Sequence, residues 1–107
     1  MINEYYRPLP ANLTIKESGI EGLGLFATTN IPKDELLGLT HVYLESFPDN
    51  YIRTPLGGFI NYSEDPNCKV VKEEIVTGHL TLQLYTRIEI KKGEELTLKY
   101  HLYDPTK

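Results

Sequence analysis

Apolar and polar positions along this chain alternate mostly with the two-residue period of extended strands. The clearest run is Leu80-Thr81-Leu82-Gln83-Leu84, which predicts three leucines on one face with the polar residues turned away. Val70-Val71 and Ile75-Val76 come just before it, and Thr77-Gly78 reads as a hairpin turn, so residues 68–76 and 80–88 are expected to pair antiparallel. Further short strands are expected at 12–16, 24–28, 36–44 and 95–99. No segment sustains a period of about 3.6 residues over several turns, so long helices are not expected. Between Ser46 and Gly58 the chain carries Pro48, Asp49, Asn50, Pro55 and Gly57, which predicts a loop, or a very short helix between loops. The fold class is therefore mainly β.

Two stretches are locally alike. Thr29-Asn30-Ile31-Pro32-Lys33-Asp34-Glu35-Leu36 and Arg87-Ile88-Glu89-Ile90-Lys91-Lys92-Gly93-Glu94-Glu95-Leu96 each place an isoleucine before a charged turn and then start a new strand. Two dissimilar copies signify recurring turn chemistry, not stacked repeats.

Composition narrows the possibilities. A chain of 107 residues, 40% apolar and 24% charged, has the balance of one globular domain, and residues 1–107 are read as such. Folding at this size buries about two-thirds of the unfolded chain's surface, enough for a core without cross-links. Cys68 is the only cysteine, which excludes an internal disulfide and a cysteine-cluster zinc site. His41, His79 and His101 lack the short spacing of a metal-binding pair, so no metal site is expected. The formal net charge of -4 has the wrong sign for a protein that neutralises phosphates, so nucleic acid is not expected as a partner, whereas a basic peptide would be attracted. No apolar run reaches the length of a signal peptide or a membrane span. A soluble, intracellular protein with no membrane partner is expected.

Three segments carry the chemistry, in this order: Gly22-Leu23-Gly24-Leu25-Phe26-Ala27, then Gly58-Phe59-Ile60-Asn61-Tyr62-Ser63-Glu64-Asp65-Pro66-Asn67, then Gly93-Glu94-Glu95-Leu96-Thr97-Leu98-Lys99-Tyr100. They resemble the glycine turn, the Asn-His-Ser segment ending in Pro-Asn, and the Glu-Leu-Thr segment ending in Tyr of SET-domain protein lysine methyltransferases. With the Ile-Pro-Lys turn after the first segment, the resemblance extends over roughly residues 13–104. It implies a β-clip fold of several small sheets, with a knot-like threading of the C-terminal segment that brings residues 58–67 and 95–103 together. The smallest relatives, minimal viral-type SET proteins, look most similar because they lack cysteine-rich flanks.

The resemblance also implies a function. S-adenosylmethionine would occupy an open pocket on one face, and a lysine of a protein substrate, possibly histone-like, would enter a channel from the other. Gly22, Leu23, Gly24, Phe59, Asn61, Tyr62 and Tyr100 fall at cofactor-binding positions, while Tyr100 and Tyr103 fall at the methyl-transfer channel. Physical chemistry agrees with each assignment without requiring it. Paired glycines let a backbone approach a ligand, although they also shape hairpins. Asn61 offers both donor and acceptor on a short side chain, although asparagine is also a turn residue, and Pro66 and Asn67 would close its loop in a rigid turn. A phenol such as Tyr100 can orient a neutral lysine amine for in-line displacement.

The sequence departs from the pattern in two places. Tyr62 stands where the family has histidine, and the tyrosine motif between the first two segments has no match, with Tyr43 or Tyr51 as substitutes. With the sequence ending at Lys107, the expectation is either low activity or a homodimer in which a second copy supplies the missing wall of the site. The competing expectation is a SET-like module that binds a peptide or protein partner without turnover.

Overall fold

The computed structural model describes residues 9–43, 51–74 and 80–99. Its strands are β1 (Leu13–Glu17), β2 (Leu23–Ala27), β3 (Leu36–Tyr43), β4 (Tyr51–Arg53), β5 (Asn61–Tyr62), β6 (Cys68–Glu74), β7 (Leu80–Thr86) and β8 (Thr97–Leu98); a single helical turn, α1 (Pro55–Phe59), follows β4. They form three small sheets: the β1–β2 hairpin, a four-stranded sheet in the order β4-β3-β7-β6, and the parallel pair β5–β8. The mainly β expectation is met. Among the described residues no helix is long and apolar enough to cross a membrane.

Most strand positions agree with the alternation. The predicted hairpin appears as β6 paired antiparallel with β7, from Cys68 opposite Thr86 to Glu74 opposite Leu80; its Thr77-Gly78 turn lies outside the described residues. At 95–99 only Thr97 and Leu98 form a strand, while Glu95 makes an isolated bridge to Phe26. The loop reading of residues 46–58 missed β4, three residues with no room to show a period, and met α1 as the very short helix. Pro55 starts that helix, where its missing N–H costs nothing. Thr54 does not cap it by side chain, because its hydroxyl donates instead to the Leu39 carbonyl at 2.6 Å.

β7 is buried on both faces, so the polar positions that turn away from its leucines do not turn to solvent. Thr81 and Thr86 are fully buried, whereas Leu80 is only half-buried. β7 lies between β3 and β6, and the threonines are tolerated inside because each hydroxyl has a carbonyl to donate to: Thr81 to Glu73 at 2.8 Å and Thr86 to Pro32 at 2.7 Å. Left unbonded, each would cost about 1–3 kcal/mol.

One apolar cluster joins all three sheets. Leu25 and Ala27 of the hairpin, Leu37 and Leu84 of the large sheet, Leu98 of β8, and Ile31, Ile90 and Leu96 from the connections pack together with Leu56 of α1. Each buried leucine or isoleucine contributes roughly 1.5–3 kcal/mol. The two locally similar stretches lie side by side: Ile31 N–H donates to the Ile90 carbonyl at 2.7 Å and Ile90 N–H returns the bond at 2.8 Å. Three residues beyond each isoleucine, Asp34 and Gly93 both adopt the left-handed conformation, with φ of 62° and 89°. The parallel β5–β8 pair holds residues 61–62 against 97–98, as the resemblance implied. The knot-like threading involves residues after Lys99, which lie outside the described residues.

His41, 3% exposed on β3, is a buried titratable group of the large sheet. Thr40 has one hydroxyl proton, donated to the Leu82 carbonyl at 3.1 Å, so the contact between His41 Nδ1 and Thr40 Oγ1 at 2.9 Å requires Nδ1 to be the donor. Burial, and secondarily the positive charge of Arg53, lower the His41 pKa from 6.5 to about 4. Below pH 6.5 the unfolded chain binds this proton while the folded one does not until about pH 4, so stability falls with pH across that window, by on the order of 3 kcal/mol. Urea midpoints compared between pH 7 and pH 4.5 should therefore drop, and His41→Gln should flatten the drop; an equally steep loss in the variant would assign it to other groups.

Candidate functional site

The site starts from a hairpin loop. Ser18 N–H donates to the Gly22 carbonyl at 2.8 Å, and Gly22 completes the turn at φ 49°, which glycine adopts without penalty. The Ser18 hydroxyl oxygen accepts from Ile20 N–H at 2.8 Å and Glu21 N–H at 3.3 Å, drawing the loop around itself. Its own proton goes across the chain to the Glu95 carboxylate, with both oxygens at 2.8 Å.

Glu95 gathers the three motif segments. A side chain on Gly24 would place its first carbon 2.2 Å from Glu95 Oε2 and 3.1 Å from Asn61 Nδ2, so the missing side chain makes room for these two groups. The space that the missing side chain leaves at Gly24 is filled by Glu95. Asn61 Nδ2 donates toward Glu95 Oε2 at 2.8 Å, with Ser18 Oγ and the Glu21 and Leu23 carbonyls at 3.0, 3.1 and 3.2 Å. Among the described residues no lysine or arginine pairs with Glu95, so its charge is held by hydrogen bonds alone. The half-buried Asn61 carries no hydrogen bond on Oδ1 among the described residues, which leaves that oxygen as an acceptor.

Asn67 proves to be more than a turn residue. Its amide donates to the Glu95 carbonyl at 2.9 Å and accepts from Thr97 N–H at 2.8 Å, so one side chain stands in for a neighbouring strand and fixes the backbone on both sides of Leu96. Of the other sequence-predicted cofactor residues, Leu23, Phe59 and Tyr62 are 48%, 36% and 39% exposed. The Tyr62 hydroxyl donates to the Glu64 carboxylate, which also pairs with Lys99 at 3.3 Å. Tyr43 and Tyr51, the candidate substitutes for the unmatched motif, are cross-strand partners on β3 and β4. Tyr100 and Tyr103 lie outside the described residues.

A separate cleft of about 280 Å³ is lined by Pro66, Cys68, Lys69, Val70, Arg87, Leu98 and Lys99, and contains none of the sequence-predicted cofactor residues. Burial pushes the Cys68 thiol up to about 12, with a hydrogen bond from the Thr97 backbone opposing it, so the thiol stays protonated and is no nucleophile. The concentration of directed polar groups, not this cleft, marks the candidate site.

Sequence reading missed Glu95 and Ser18 as site residues. Glu95 stood inside a quoted segment but looked like part of a charged turn, and its bond to Ser18 spans a separation of 77 residues that no local pattern reports. The adjacent Glu94 is the turn residue, accepting from Lys91 N–H at 2.7 Å.

In a mainly β fold of small sheets, a hairpin loop, the asparagine strand β5 and the Glu-Leu-Thr segment are tied together at one carboxylate. The chain belongs to the SET-domain family: the SET domain model matches residues 42–101, more than half of it. It is 29% identical over 126 aligned residues to a histone-lysine N-methyltransferase, H3 lysine-36 specific, from Mycosarcoma maydis, covering 92% of this chain and 13% of that protein. It is 32% identical over 113 aligned residues to one specific for H3 lysine-4 from Chaetomium globosum, covering 78% of this chain and 10% of that protein. The chain thus spans a small part of these relatives' length. A crystal structure of a Plasmodium falciparum protein described as a histone methyltransferase shares the fold, with a TM-score of 0.73 over 92% of this chain and 99% of that one at 24% identity.

The two glycines should respond differently to substitution. Gly24→Ala forces Glu95 off its partners and should cost about 1–3 kcal/mol as overpacking, whereas Gly22→Ala meets no atom within 4 Å and carries only backbone strain. Thermal melts should show the larger loss for Gly24→Ala; equal losses would mean that Glu95 relaxes freely.

Proposed function

We propose that this chain is a protein-lysine N-methyltransferase that uses S-adenosylmethionine and acts on a basic, histone-like protein segment. The observation that carries the reading is Asn61: its nitrogen is committed to Glu95 and the hairpin loop while its oxygen stays available, within a family whose named relatives methylate histone lysines. The chemistry of the donor set fits the cofactor. An acceptor oxygen and loop carbonyls suit its polar end, exposed Leu23, Phe59 and Tyr62 suit its apolar body, and the Glu95 charge, which no lysine or arginine among the described residues pairs, favours a cationic ligand. When bound, the cofactor supplies a methyl group on a sulfonium that an amine can displace.

The chain's own residues would do the rest. Asn61 accepts from the ligand, and the hairpin loop limits its approach. The Tyr100 hydroxyl, one residue beyond Lys99, holds the neutral lysine nitrogen in line, with Tyr103 as the second channel wall. A second copy of the chain would complete the channel as a homodimer, in an intracellular setting where histone-like substrates occur.

A second reading is favoured by Tyr62, whose hydroxyl is tied to Glu64 where the family has histidine. The chain would then bind a lysine-bearing peptide without turnover. Transfer of label from S-adenosylmethionine to histones separates the two.

Calorimetry should show S-adenosylmethionine binding, and Asn61→Ala should weaken it by about 1–3 kcal/mol. No heat at millimolar cofactor would end the reading, and an unchanged affinity in the variant would remove Asn61 from the site.

Tyr100→Phe keeps the ring and removes one preorganised hydroxyl, so turnover should fall about a hundredfold or more while cofactor affinity and melting temperature hold. Tyr103→Phe should act more mildly, shifting the number of methyl groups added, as mass spectrometry of the product would show. Full turnover in Tyr100→Phe would overturn its assignment.

A further inference from the structure

The orientation of the Asn61 amide is dictated by its neighbours. The Glu21 and Leu23 carbonyls and the Glu95 carboxylate can only accept, and the single proton of Ser18 is already given to Glu95. All four groups around this end of the side chain therefore demand a donor, which puts the nitrogen inward and the oxygen outward. Glu95 alone among them carries a full charge, and charge-assisted hydrogen bonds are roughly twice as strong as neutral ones. It is also held independently of Asn61. Its carbonyl accepts from Asn67, Leu96 N–H donates to the Leu25 carbonyl at 2.8 Å, and its carboxylate fills the space beside Gly24.

We infer that Glu95 is a positioning residue for the proposed cofactor site. Through the Asn61 amide it turns an acceptor outward, so the site selects a ligand that offers an N–H or O–H at that point. Glu95 itself faces inward and acts through Asn61. The inference rests on the cofactor reading above and adds to it a residue and a polarity requirement.

Glu95→Gln tests it with little change of volume. Glutamine brings an N–H as well as an oxygen, so it removes the charge and weakens the hold on the Asn61 nitrogen, leaving the Glu21 and Leu23 carbonyls to orient it. Affinity for S-adenosylmethionine, read by calorimetry, should fall about tenfold or more, the loss of one charged hydrogen bond. The side-chain amide signal of Asn61 in a proton–nitrogen NMR spectrum supplies a readout that loss of stability alone would not give. Its carboxylate-bonded proton should resonate downfield in the unaltered protein and move upfield in Glu95→Gln while the backbone signals keep their dispersion.

Unchanged affinity overturns the inference, and so does a weaker affinity with the Asn61 signal in place. If Glu95→Gln does not fold, Ser18→Ala carries the test, because it removes the carboxylate's other donor from an exposed loop. The same signal should move and affinity should fall by a smaller factor; if either stays fixed, the inference fails. Should the unaltered protein bind no S-adenosylmethionine, the cofactor reading fails by itself, and the Asn61 signal still decides whether Glu95 sets the amide.

Discussion

The Glu95 carboxylate lies where a side chain on Gly24 would be, and the arrangement of the site depends on that substitution of one group for another. With Gly24 bare, the carboxylate reaches Ser18 in the hairpin loop and Asn61 on β5 at once. Neither contact survives a methyl group at position 24 without movement. The sheets involved are too small to orient one another through their ladders, since β5 and β8 have two residues each. Side-chain hydrogen bonds therefore do here what backbone ladders do in larger sheets, with Asn67 bracketing Leu96 from one side and Glu95 bracing Asn61 from the other.

The four-stranded sheet solves a different problem, that of register. Thr40, Thr81 and Thr86 are buried, and their hydroxyls donate to the carbonyls of Leu82, Glu73 and Pro32 respectively. A one-residue slip would turn each side chain to the opposite face and leave these groups unbonded, at about 1–3 kcal/mol apiece. Buried polar groups thus penalise wrong pairings that an all-apolar face would tolerate. His41 belongs to the same logic, because its neutral ring is tied to Thr40 and its protonation opposes the fold.

Much of this was legible in the sequence because alternation reports burial. Leu82 and Leu84 lie inside where the period placed them, and the β6–β7 pairing follows the hydrophobic runs. Thr81 was read outward because hydrophobicity alone ranks a threonine as a surface residue, and its satisfying carbonyl on β6 is visible only once the strands pair. β4 was invisible for a simpler reason: three residues between the Pro48-Asp49-Asn50 turn signal and Pro55 are too few to show a period. For the site, motif order located Asn61 and the glycine turn, but Ser18 and Glu95 required a contact between residues 77 apart. Local pattern cannot carry such a contact, since it exists only after three segments converge.

The convergence has a backbone cause. Beyond β7 the chain runs back along β2: Ile90 exchanges both hydrogen bonds with Ile31, Gly93 N–H donates to the Ala27 carbonyl at 2.8 Å, Ala27 N–H to the Glu94 carbonyl at 3.0 Å, and Leu96 N–H to the Leu25 carbonyl at 2.8 Å. Glu95 sits in this run opposite Phe26, so its side chain inherits a direction from bonds made on either side of it. The two charged turns that look alike in sequence are the far end of that run, and their left-handed residues, Asp34 and Gly93, let each chain turn away once the pair is made. An inward-facing carboxylate is thereby aimed by turn chemistry some distance along the chain. The polarity that Asn61 presents to a ligand depends on how the Ile31 and Ile90 turns meet.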